Sequence, residues 1–485
     1  MSIRTGADRP IAAAERLRRE LHVLVGTDSL LTDPADIAPL LVDHLQMYRG
    51  RALAVAAPRS TEAVARIVGW CSQHRVGLVP QGGNTGYCGG ATPDDSGQQL
   101  LLTLGRMNRI RALDADNFSM TVEAGCVLER VQQAADAAER YFPLSLGSQG
   151  SCQIGGNLST NAGGLNVVRY GMTRELVLGV EAVLPDGSVF EGLKSLRKDN
   201  TGYDLKSLLI GAEGTLGVIT AATLKLWPKM RSSATAFVGL TRPGQAVELL
   251  GMLRAATGER LSSFELLPRI AIELTTRHIS GVTDPLGTVF PWYILCELTA
   301  PAAGEALDEL LQNVLGAAVG RSLIGDAALA TSERARAAFW RLRETVPEAQ
   351  RRDGVSVKHD VSVPVASVPA FIEEASQWVR EHVPEGVLMC YGHAGDGNLH
   401  FNVNYSAAAT SDPAAIAFLA RAPQIRRAIH DLVMRLHGSI SAEHGIGRLK
   451  REELAHYAPP ATLAAMRAIK QALDPDGIMN PGKLL

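Results

Sequence analysis

The stretch PQGGNTGYCGG, residues 80–90, decides the fold of this chain, because five of its eleven positions are glycine. Without side chains at Gly82, Gly83 and Gly86, successive backbone N–H groups can meet phosphate oxygens. The loop therefore predicts a site for a ligand that contains a pyrophosphate. A glycine-rich bend in a sheet is the alternative explanation.

A β-α-β unit leads into this loop. Residues 53–57 alternate as in a strand, Ser60 or Thr61 caps an amphipathic helix, and residues 77–80 form the next strand. The chain contains no G-x-G-x-x-G spacing that opens a helix, which disfavours NAD. Residues 477–483 resemble a phosphate loop, but Leu484 replaces the required Ser or Thr.

Two further glycine clusters follow in the same half of the chain. GSQGSCQIGGNLSTNAGGLNVVRYG spans residues 147–171, and DNTGYDLKSLLIGAEGTLGVIT spans residues 199–220. Small residues and backbone donors in three clusters favour a flat cofactor that lies on backbone.

The pattern changes after residue 229. Helix-like segments at 246–256, 303–315, 332–345 and 368–383 alternate with strand-like segments at 234–240, 292–298, 355–363 and 387–391. This alternation predicts an α+β domain with helices on one side of an antiparallel sheet. From about Pro413 the pattern is mostly helical.

Composition restricts the function classes. The 485 residues carry 48 basic and 50 acidic side chains, so a net charge of −2 favours a small molecule over nucleic acid or an anionic membrane. The six cysteines lack CxxC spacing, which predicts reduced thiols rather than a zinc ribbon or disulfides. The arginine-rich residues 1–20 lack a secretory apolar core, and no apolar run spans a bilayer, so we expect a cytoplasmic protein.

Two histidines flank a tight turn in YGHAGDGNLHFNV, residues 391–403. Gly395 and Gly397 can reverse the chain, and the alternation after them predicts a strand that places His400 and Asn402 on one polar face. His393 and His400 could then face each other, although an ordinary hairpin with two surface histidines fits equally well.

Together with SAEHGIGRLK (441–450) and DPDGIMNPGKLL (474–485), these motifs resemble the flavin-dependent D-2-hydroxyacid dehydrogenases. The resemblance runs from about residue 40 to the last residue, with six motifs in the family's order. It implies an α+β fold with a two-subdomain FAD-binding domain of the vanillyl-alcohol-oxidase (PCMH) type at residues 1–230. An α+β substrate cap at 231–430 and a C-terminal helical segment at 431–485 that returns to the flavin complete the expected architecture.

The resemblance also implies noncovalent FAD and a set of residues that contact it. These are Pro80, Gly82, Gly83, Asn84, Thr85, Gly86, Ser148, Gly155, Gly156, Asn157, Thr160, Asn161, Gly163, Gly214, Gly217, Ile219 and Asn480.

The matching positions for a divalent metal are His393, His400 and Glu443. Two imidazoles and a carboxylate suit Zn²⁺, with Mn²⁺ or Co²⁺ as alternatives. A rival pair, His430 and His437, lies two helical turns apart and is expected on a helix surface.

Residues around the metal would handle the substrate. His444 matches the catalytic base and also contacts substrate, whereas Arg343 and Lys358 match the cations that hold carboxylates, and Asn402 would steady one of them. Where D-2-hydroxyglutarate dehydrogenases tend to place a hydroxyl, this chain has Pro347, so a hydrogen-bond donor is missing.

The implied reaction is oxidation of a D-2-hydroxyacid by hydride transfer to flavin N5. Two cations favour D-2-hydroxyglutarate, which would give 2-oxoglutarate, with D-malate as a further candidate, over D-lactate or glycolate. Two other functional classes remain as alternatives. One is an ether-lipid synthase with a related FAD domain, and the other is a non-catalytic protein that binds flavin or stores metal. No heme or iron–sulfur motif is present, so we expect a separate electron acceptor, such as an electron-transfer flavoprotein or a quinone-linked carrier, and a homodimer.

Overall fold

The computed structural model describes residues 8–407, 409 and 411–485. These residues divide into two compact units. Unit 1 comprises Met1–Ala162, of which Asp8 onward is described, together with Met172–Pro228 and Glu443–Leu485; unit 2 comprises Gly163–Gly171 and Lys229–Ala442. Unit 2 is therefore built mainly from one continuous stretch inserted into unit 1.

Helices and strands are distributed over the whole described chain. The helices are α1 (Asp8–Val25), α2 (Pro34–Ile37), α3 (Thr61–His74), α4 (Leu128–Ala137), α5 (Ile154–Ser159), α6 (Val167–Tyr170), α7 (Leu205–Leu209), α8 (Gly244–Thr257), α9 (Arg269–His278), α10 (Leu307–Gly320), α11 (Glu333–Glu344), α12 (Val346–Asp353), α13 (Val368–His382), α14 (Pro413–Ala420), α15 (Ala422–Arg435), α16 (Arg451–Tyr457) and α17 (Pro460–Leu473). The strands are β1 (Leu30–Leu31), β2 (Ala54–Ala56), β3 (Leu78–Gln81), β4 (Leu100–Thr103), β5 (Ile110–Asp114), β6 (Ser119–Glu123), β7 (Arg140–Tyr141), β8 (Val177–Val183), β9 (Val189–Gly192), β10 (Val218–Lys225), β11 (Trp227–Pro228), β12 (Ser232–Leu240), β13 (Leu261–Pro268), β14 (Trp292–Ala300), β15 (Asp326–Leu329), β16 (Gly354–Val357), β17 (Asp360–Ser362), β18 (Val387–Tyr391) and β19 (Asn398–Ser406).

The first sheet of unit 1 delivers the glycine loop of residues 82–90. Its order is β1-β2-β4-β3, with β2, β4 and β3 parallel. Helix α3 connects β2 to β3, and the Ser60 hydroxyl caps it by accepting from the backbone N–H of Ala63 at 3.3 Å. Residues Val64, Ile67 and Val68 of α3 are fully buried, which confirms the β-α-β unit predicted from the sequence.

A second sheet of unit 1 is antiparallel and has the order β5-β6-β10-β8-β9. Strand β10 is buried over seven of its eight residues, as expected of a central strand. The segment Glu443–Leu485 also belongs to unit 1, where Leu78 pairs with Met479 in a parallel bridge. Ile478 and Met479 thereby complete the core around β3.

The larger sheet of unit 2 has the order β13-β14-β12-β15 and is antiparallel. Alternate residues point to opposite sides, and both sides are apolar cores: Val238 and Ile294 face α8 and α10, whereas Phe237 and Leu295 face α9, α11 and α12. The prediction of helices on one side only is therefore wrong, because the strands of this sheet are apolar on both faces.

The second sheet of unit 2 carries the two-histidine turn. Strand β19 pairs with β16 and β17 along one edge and with β18 along the other. The turn at residues 392–397 connects β18 to β19, and Gly397 adopts a φ of 87°. A side chain at Gly392, where φ is 142°, would press on the Asn398 carbonyl oxygen at 3.0 Å, so glycine is required there.

Candidate active site

The glycine clusters of unit 1 lie next to one another. A side chain at Gly82 would meet the backbone nitrogen of Gly156 at 3.4 Å, and one at Gly214 would meet the ring of Pro80 at 2.9 Å. The structure therefore brings together backbone from all three clusters, which lie far apart in the sequence.

These glycines serve two different purposes. At Gly155 a Cβ atom would lie 2.7 Å from the Cβ atom of Ala124, so packing within the protein excludes a side chain. At Gly86 and Gly156 a Cβ atom would meet no protein atom within 4 Å. Open space beside exposed backbone is the arrangement that a bound cofactor requires.

The polar groups around this space fit FAD. Among the described residues, the buried carboxamide oxygens of Gln153, Asn157 and Asn480 accept no hydrogen bond. Such acceptors match the N–H and O–H donors of a flavin dinucleotide. The donors of Asn480 are engaged, since Nδ2 donates to the carbonyl oxygens of Gly90 at 2.9 Å and Glu213 at 2.7 Å.

Other predicted cofactor residues have structural contacts of their own. Asn84 adopts a φ of 53° and donates through Nδ2 to the Val42 carbonyl oxygen at 2.8 Å. Asn161 accepts from the backbone N–H of Arg174 at 2.8 Å. Gly163 belongs to unit 2. The other predicted cofactor residues lie on the same segments of unit 1; they are Gly83, Thr85, Ser148, Thr160, Gly217 and Ile219.

Glu213 is a residue of this region that the sequence analysis missed. Its buried carboxylate accepts from the backbone N–H groups of Ile446 at 2.8 Å and Gly447 at 2.7 Å. Burial raises its pKa, although these two N–H groups and the charge of Lys450 act in the opposite direction. Glu213 thus fixes the segment that follows His444 within unit 1.

His444 and Glu443 begin the C-terminal part of unit 1. The His444 ring stands edge-on to Tyr87, with 4.8 Å between ring centroids. Tyr87 in turn stacks on His44 at 5.6 Å. The predicted base is therefore held among aromatic rings beside the glycine loop.

In unit 2, the turn brings His393 and His400 together. Their ring centroids are 5.5 Å apart in an edge-to-face arrangement, and His400 also lies 5.1 Å from the Tyr391 ring. His393 is 6% exposed, whereas His400 is half-buried. The hypothesis of two unrelated surface histidines is therefore wrong.

Glu265, on β13, is the most informative residue that the sequence analysis missed. Its fully buried carboxylate bonds to His393 Nδ1 through Oε1 and accepts from Arg343 Nε through Oε2, both at 2.6 Å. Burial alone would raise the pKa of Glu265, but the charges of Arg343 and His393 lower it to about 2. The available signal was one acid in the apolar strand LSSFELLP.

The two predicted substrate cations occupy different environments. Arg343 is 5% exposed, and its guanidinium lies 5.0 Å from the Tyr391 ring centroid. Lys358 is exposed, and among the residues the structure describes no hydrogen bond or ion pair engages its ammonium group. Desolvation of the ammonium group by the surrounding protein lowers the pKa of Lys358, and the positive charge of Arg351 lowers it further.

Pro347 has a local structural explanation. It lies in the first turn of α12, where a backbone N–H has no partner within the helix. The proline therefore costs the helix nothing, while the side-chain hydroxyl expected at this position is absent.

Asn402 is 3% exposed, and other groups of unit 2 already engage its amide. Oδ1 accepts from the His359 backbone N–H at 3.1 Å, and Nδ2 donates to Gln350 at 3.2 Å. One Nδ2 hydrogen remains for the carboxylate that Asn402 is predicted to bind.

The expectation of a surface position for His430 is wrong. His430 is 1% exposed on α15 and packs edge-on against His359 at 5.8 Å, because this face of the helix covers the second sheet. His437 lies beyond the end of α15 with a φ of 58°.

Comparison with known proteins agrees with these features. Residues 52–192 match the family described as FAD binding domain, and residues 229–484 match FAD linked oxidases, C-terminal domain. Such a pair of domains defines an FAD-linked oxidoreductase, and FAD is its cofactor.

Similar proteins refine this class. The chain is 39% identical to D-2-hydroxyglutarate dehydrogenase, mitochondrial, of Bos taurus over 94% of its length and 81% of the relative. It is 37% identical to the Arabidopsis thaliana protein of the same name, covering 95% and 80%, and 36% identical to D-2-hydroxyglutarate dehydrogenase of Xanthomonas citri pv. viticola, covering 94% of each. The chain belongs to the FAD-dependent D-2-hydroxyacid dehydrogenase family. The family and enzyme class predicted from the sequence are confirmed.

Solved structures support the fold. The chain superposes on p-cresol methylhydroxylase with a TM-score of 0.75 at 16% identity, covering 97% of this chain and 96% of that one. For alkyldihydroxyacetonephosphate synthase the TM-score is 0.72 at 16% identity, with coverage of 96% and 85%. These likenesses confirm the predicted flavin fold and carry no argument about the reaction.

The prediction of a cytoplasmic protein is wrong. The relatives from Bos taurus, Arabidopsis thaliana and Danio rerio are all named mitochondrial. The composition of residues 1–20 argued only against a secretory signal, and that argument does not determine a compartment; residues 1–7 lie outside the described residues. No helix in the described ranges combines the length and apolar character needed to cross a membrane.

All six cysteines lie in the described part of the chain, where they are buried and none forms a disulfide.

Proposed function

We propose that this chain oxidises D-2-hydroxyglutarate to 2-oxoglutarate and accepts D-malate as a further substrate. The observation that carries the proposal is its likeness, at 36–39% identity over more than nine tenths of the chain, to enzymes named D-2-hydroxyglutarate dehydrogenase. Two cations in unit 2, Arg343 and Lys358, offer one positive charge for each carboxylate of such a diacid.

The residues divide the chemical work between them. His444 takes the proton of the substrate hydroxyl, a role that histidine fills most often among general bases. Arg343, Lys358 and the remaining Nδ2 hydrogen of Asn402 orient the carboxylates. FAD, bound noncovalently on the glycine clusters, supplies the acceptor for the hydride that leaves the substrate.

A divalent metal ion fits the histidine pair. His393 and His400 offer two imidazole nitrogens in unit 2, and Glu443 is the third ligand that the family resemblance proposes. Nitrogen and oxygen ligands of this kind suit Zn²⁺ best, with Mn²⁺ and Co²⁺ as alternatives. The metal would supply a Lewis acid for the substrate hydroxyl.

The test is an anaerobic screen of hydroxyacids that follows the flavin absorbance. We expect D-2-hydroxyglutarate to bleach the flavin fastest, D-malate next, and the L-enantiomers to be nearly inert. Since a charge-assisted hydrogen bond contributes roughly 1.5–3 kcal/mol, the diacid should exceed D-lactate by about ten- to a hundredfold in kcat/KM. A preference for D-lactate would contradict the proposal.

D-lactate oxidation is the second candidate. It is favoured by a relative of Schizosaccharomyces pombe named putative D-lactate dehydrogenase, mitochondrial, which is 35% identical over 93% of this chain and 85% of its own. Pro347 also stands where a hydroxyl side chain is expected, and the loss of that hydrogen-bond donor weakens selection for the longer acid. The same screen separates the two candidates.

The electrons must then leave the flavin. We propose a separate acceptor, either an electron-transfer flavoprotein or a quinone-linked carrier, and a homodimeric enzyme. Turnover with each acceptor and sedimentation of the holoenzyme test these two points.

A further inference from the structure

Glu265 is a charged residue in a place where packing alone would favour an apolar one. All eight residues of β13 are buried, and Glu265 is 0% exposed. Replacing a buried ion pair by apolar residues of similar volume is often neutral or stabilising. Fold stability is therefore a weak reason for an acid at this position, and its two partners suggest a different one.

The first partner is His393. Leu266 and Gly392 exchange backbone hydrogen bonds of 2.8 and 3.0 Å, which sets β13 beside the turn and places Glu265 Oε1 at 2.6 Å from His393 Nδ1. A hydrogen on Nδ1 donates to this carboxylate, so the lone pair lies on Nε2. A carboxylate bonded to the far nitrogen of a histidine fixes the ring and raises its basicity as a ligand.

The second partner is Arg343. Glu265 Oε2 accepts from Arg343 Nε at 2.6 Å, and the Tyr391 ring packs on the guanidinium. These two contacts hold the guanidinium at its Nε and against the ring face. A planar donor held in this way is suited to a carboxylate of the substrate.

We propose that Glu265 is a positioning residue that orients both His393 for the metal and Arg343 for the substrate. One carboxylate sets both groups, so metal affinity and diacid affinity are coupled through it. This inference rests on the proposed function, because His393 and Arg343 take their roles from it.

The decisive variant is Glu265→Gln, which preserves shape but replaces one acceptor oxygen by an NH₂ donor. It can satisfy only one of its two partners. We expect Zn²⁺ affinity, measured by competition with a chromogenic chelator, to fall about ten- to a hundredfold. KM for D-2-hydroxyglutarate should rise about tenfold.

Glu297 supplies a matched control in the same sheet. It lies on β14, is 9% exposed, and accepts from Trp340 Nε1 at 2.8 Å and from Arg336 at 3.3 Å, both on helix α11. Glu297→Gln removes a similar interaction from the same helix but involves no histidine. We expect it to lower thermal stability while Zn²⁺ affinity stays within about twofold of wild type.

The outcomes distinguish failure of the positioning role of Glu265 from failure of the proposed metal site. Unchanged metal affinity and unchanged KM in folded Glu265→Gln would overturn the positioning role alone. A wild-type holoenzyme that binds no divalent metal would overturn the proposed metal site and, with it, this inference. If Glu265→Gln does not fold, Glu265→Asp keeps the charge and shortens the reach, and it should weaken Zn²⁺ binding more than Glu297→Asp does; equal effects would overturn the proposal.

Discussion

Asn480 Nδ2 donates a hydrogen bond of 2.9 Å to the carbonyl oxygen of Gly90, at the end of the glycine loop. A second bond of 2.7 Å from the same nitrogen reaches the carbonyl oxygen of Glu213. One side chain therefore joins three segments of unit 1 that are far apart in the sequence.

Asn480→Leu should weaken FAD binding and destabilise unit 1. Two carbonyl groups lose their donor, at a cost of roughly 1–3 kcal/mol for a buried group without a partner. FAD retained per protein, read from the absorbance after gel filtration, and the melting temperature are the measurements. The control is Asn108→Ala, which removes an exposed bond to the Gly105 carbonyl oxygen and should change neither. Equal FAD content in both variants would contradict the role of Asn480.

Two adjacent glycines of α5 should respond differently to alanine. Gly155→Ala places a methyl group 2.7 Å from Ala124 and should lower stability by about 1–3 kcal/mol. Gly156→Ala meets no protein atom, so the apoprotein should be as stable as wild type, yet its FAD affinity should fall at least about tenfold if the cofactor fills that space. Chemical denaturation of apoprotein and FAD titration separate the two effects. An unchanged FAD affinity in Gly156→Ala would place the cofactor elsewhere.

Lys483 should make the stability of unit 1 depend on pH. Burial lowers the pKa of Lys483 to about 8, and the positive charge of Arg448 contributes to the shift. A lysine in the unfolded chain has a pKa of about 10.4. Between these values the unfolded chain holds more protons, so stability rises with pH above about 8 and the penalty is fully present below it. The total rise is roughly 3 kcal/mol. Urea unfolding at about pH 7.5 and 9.5 should show part of this rise in wild type.

Lys483→Met should abolish that part of the pH dependence and be more stable than wild type near pH 7. The same rise in both proteins would show that other groups cause it.

Lys358 should govern the choice between diacids and monoacids. Its ammonium group is engaged by no described residue, whereas Arg343 is bonded to Glu265. Lys358→Met should therefore lower kcat/KM for D-2-hydroxyglutarate by about ten- to a hundredfold and affect D-lactate much less. The exposed Lys198 of unit 1 supplies the control, since Lys198→Met should leave kcat/KM for both acids unchanged. Equal losses on both acids would favour a monocarboxylate enzyme.

Local patterns predicted a large part of the fold. The period of α3, the strand Val387–Tyr391 and the cap at Ser60 follow from neighbouring residues, and the structure has all three. The glycine clusters predicted a backbone-lined cofactor site, and unit 1 places Gly82 against Gly156. Recognition of six motifs supplied the flavin family, because no single motif specifies FAD.

Contacts between distant segments account for what the sequence did not reveal. Glu265 lies 78 residues from Arg343 and 128 from His393, and no local spacing connects them. Glu213 lies 233 residues from Ile446. His430 has the pattern of an exposed helical residue until α15 packs on the second sheet. Burial of a polar side chain by tertiary packing cannot be read from its immediate neighbours.

The insertion of unit 2 into unit 1 has a consequence for synthesis on the ribosome. Most of unit 2, Lys229–Ala442, emerges after its segment Gly163–Gly171 and can then form its sheets. Ile478 and Met479 close the core around β3, but they are synthesised almost 400 residues after Leu78. Until then the core of unit 1 is incomplete. The cofactor cradle, which Asn480 ties together, is therefore completed late, and FAD capture by the nascent chain should follow the folding of unit 2.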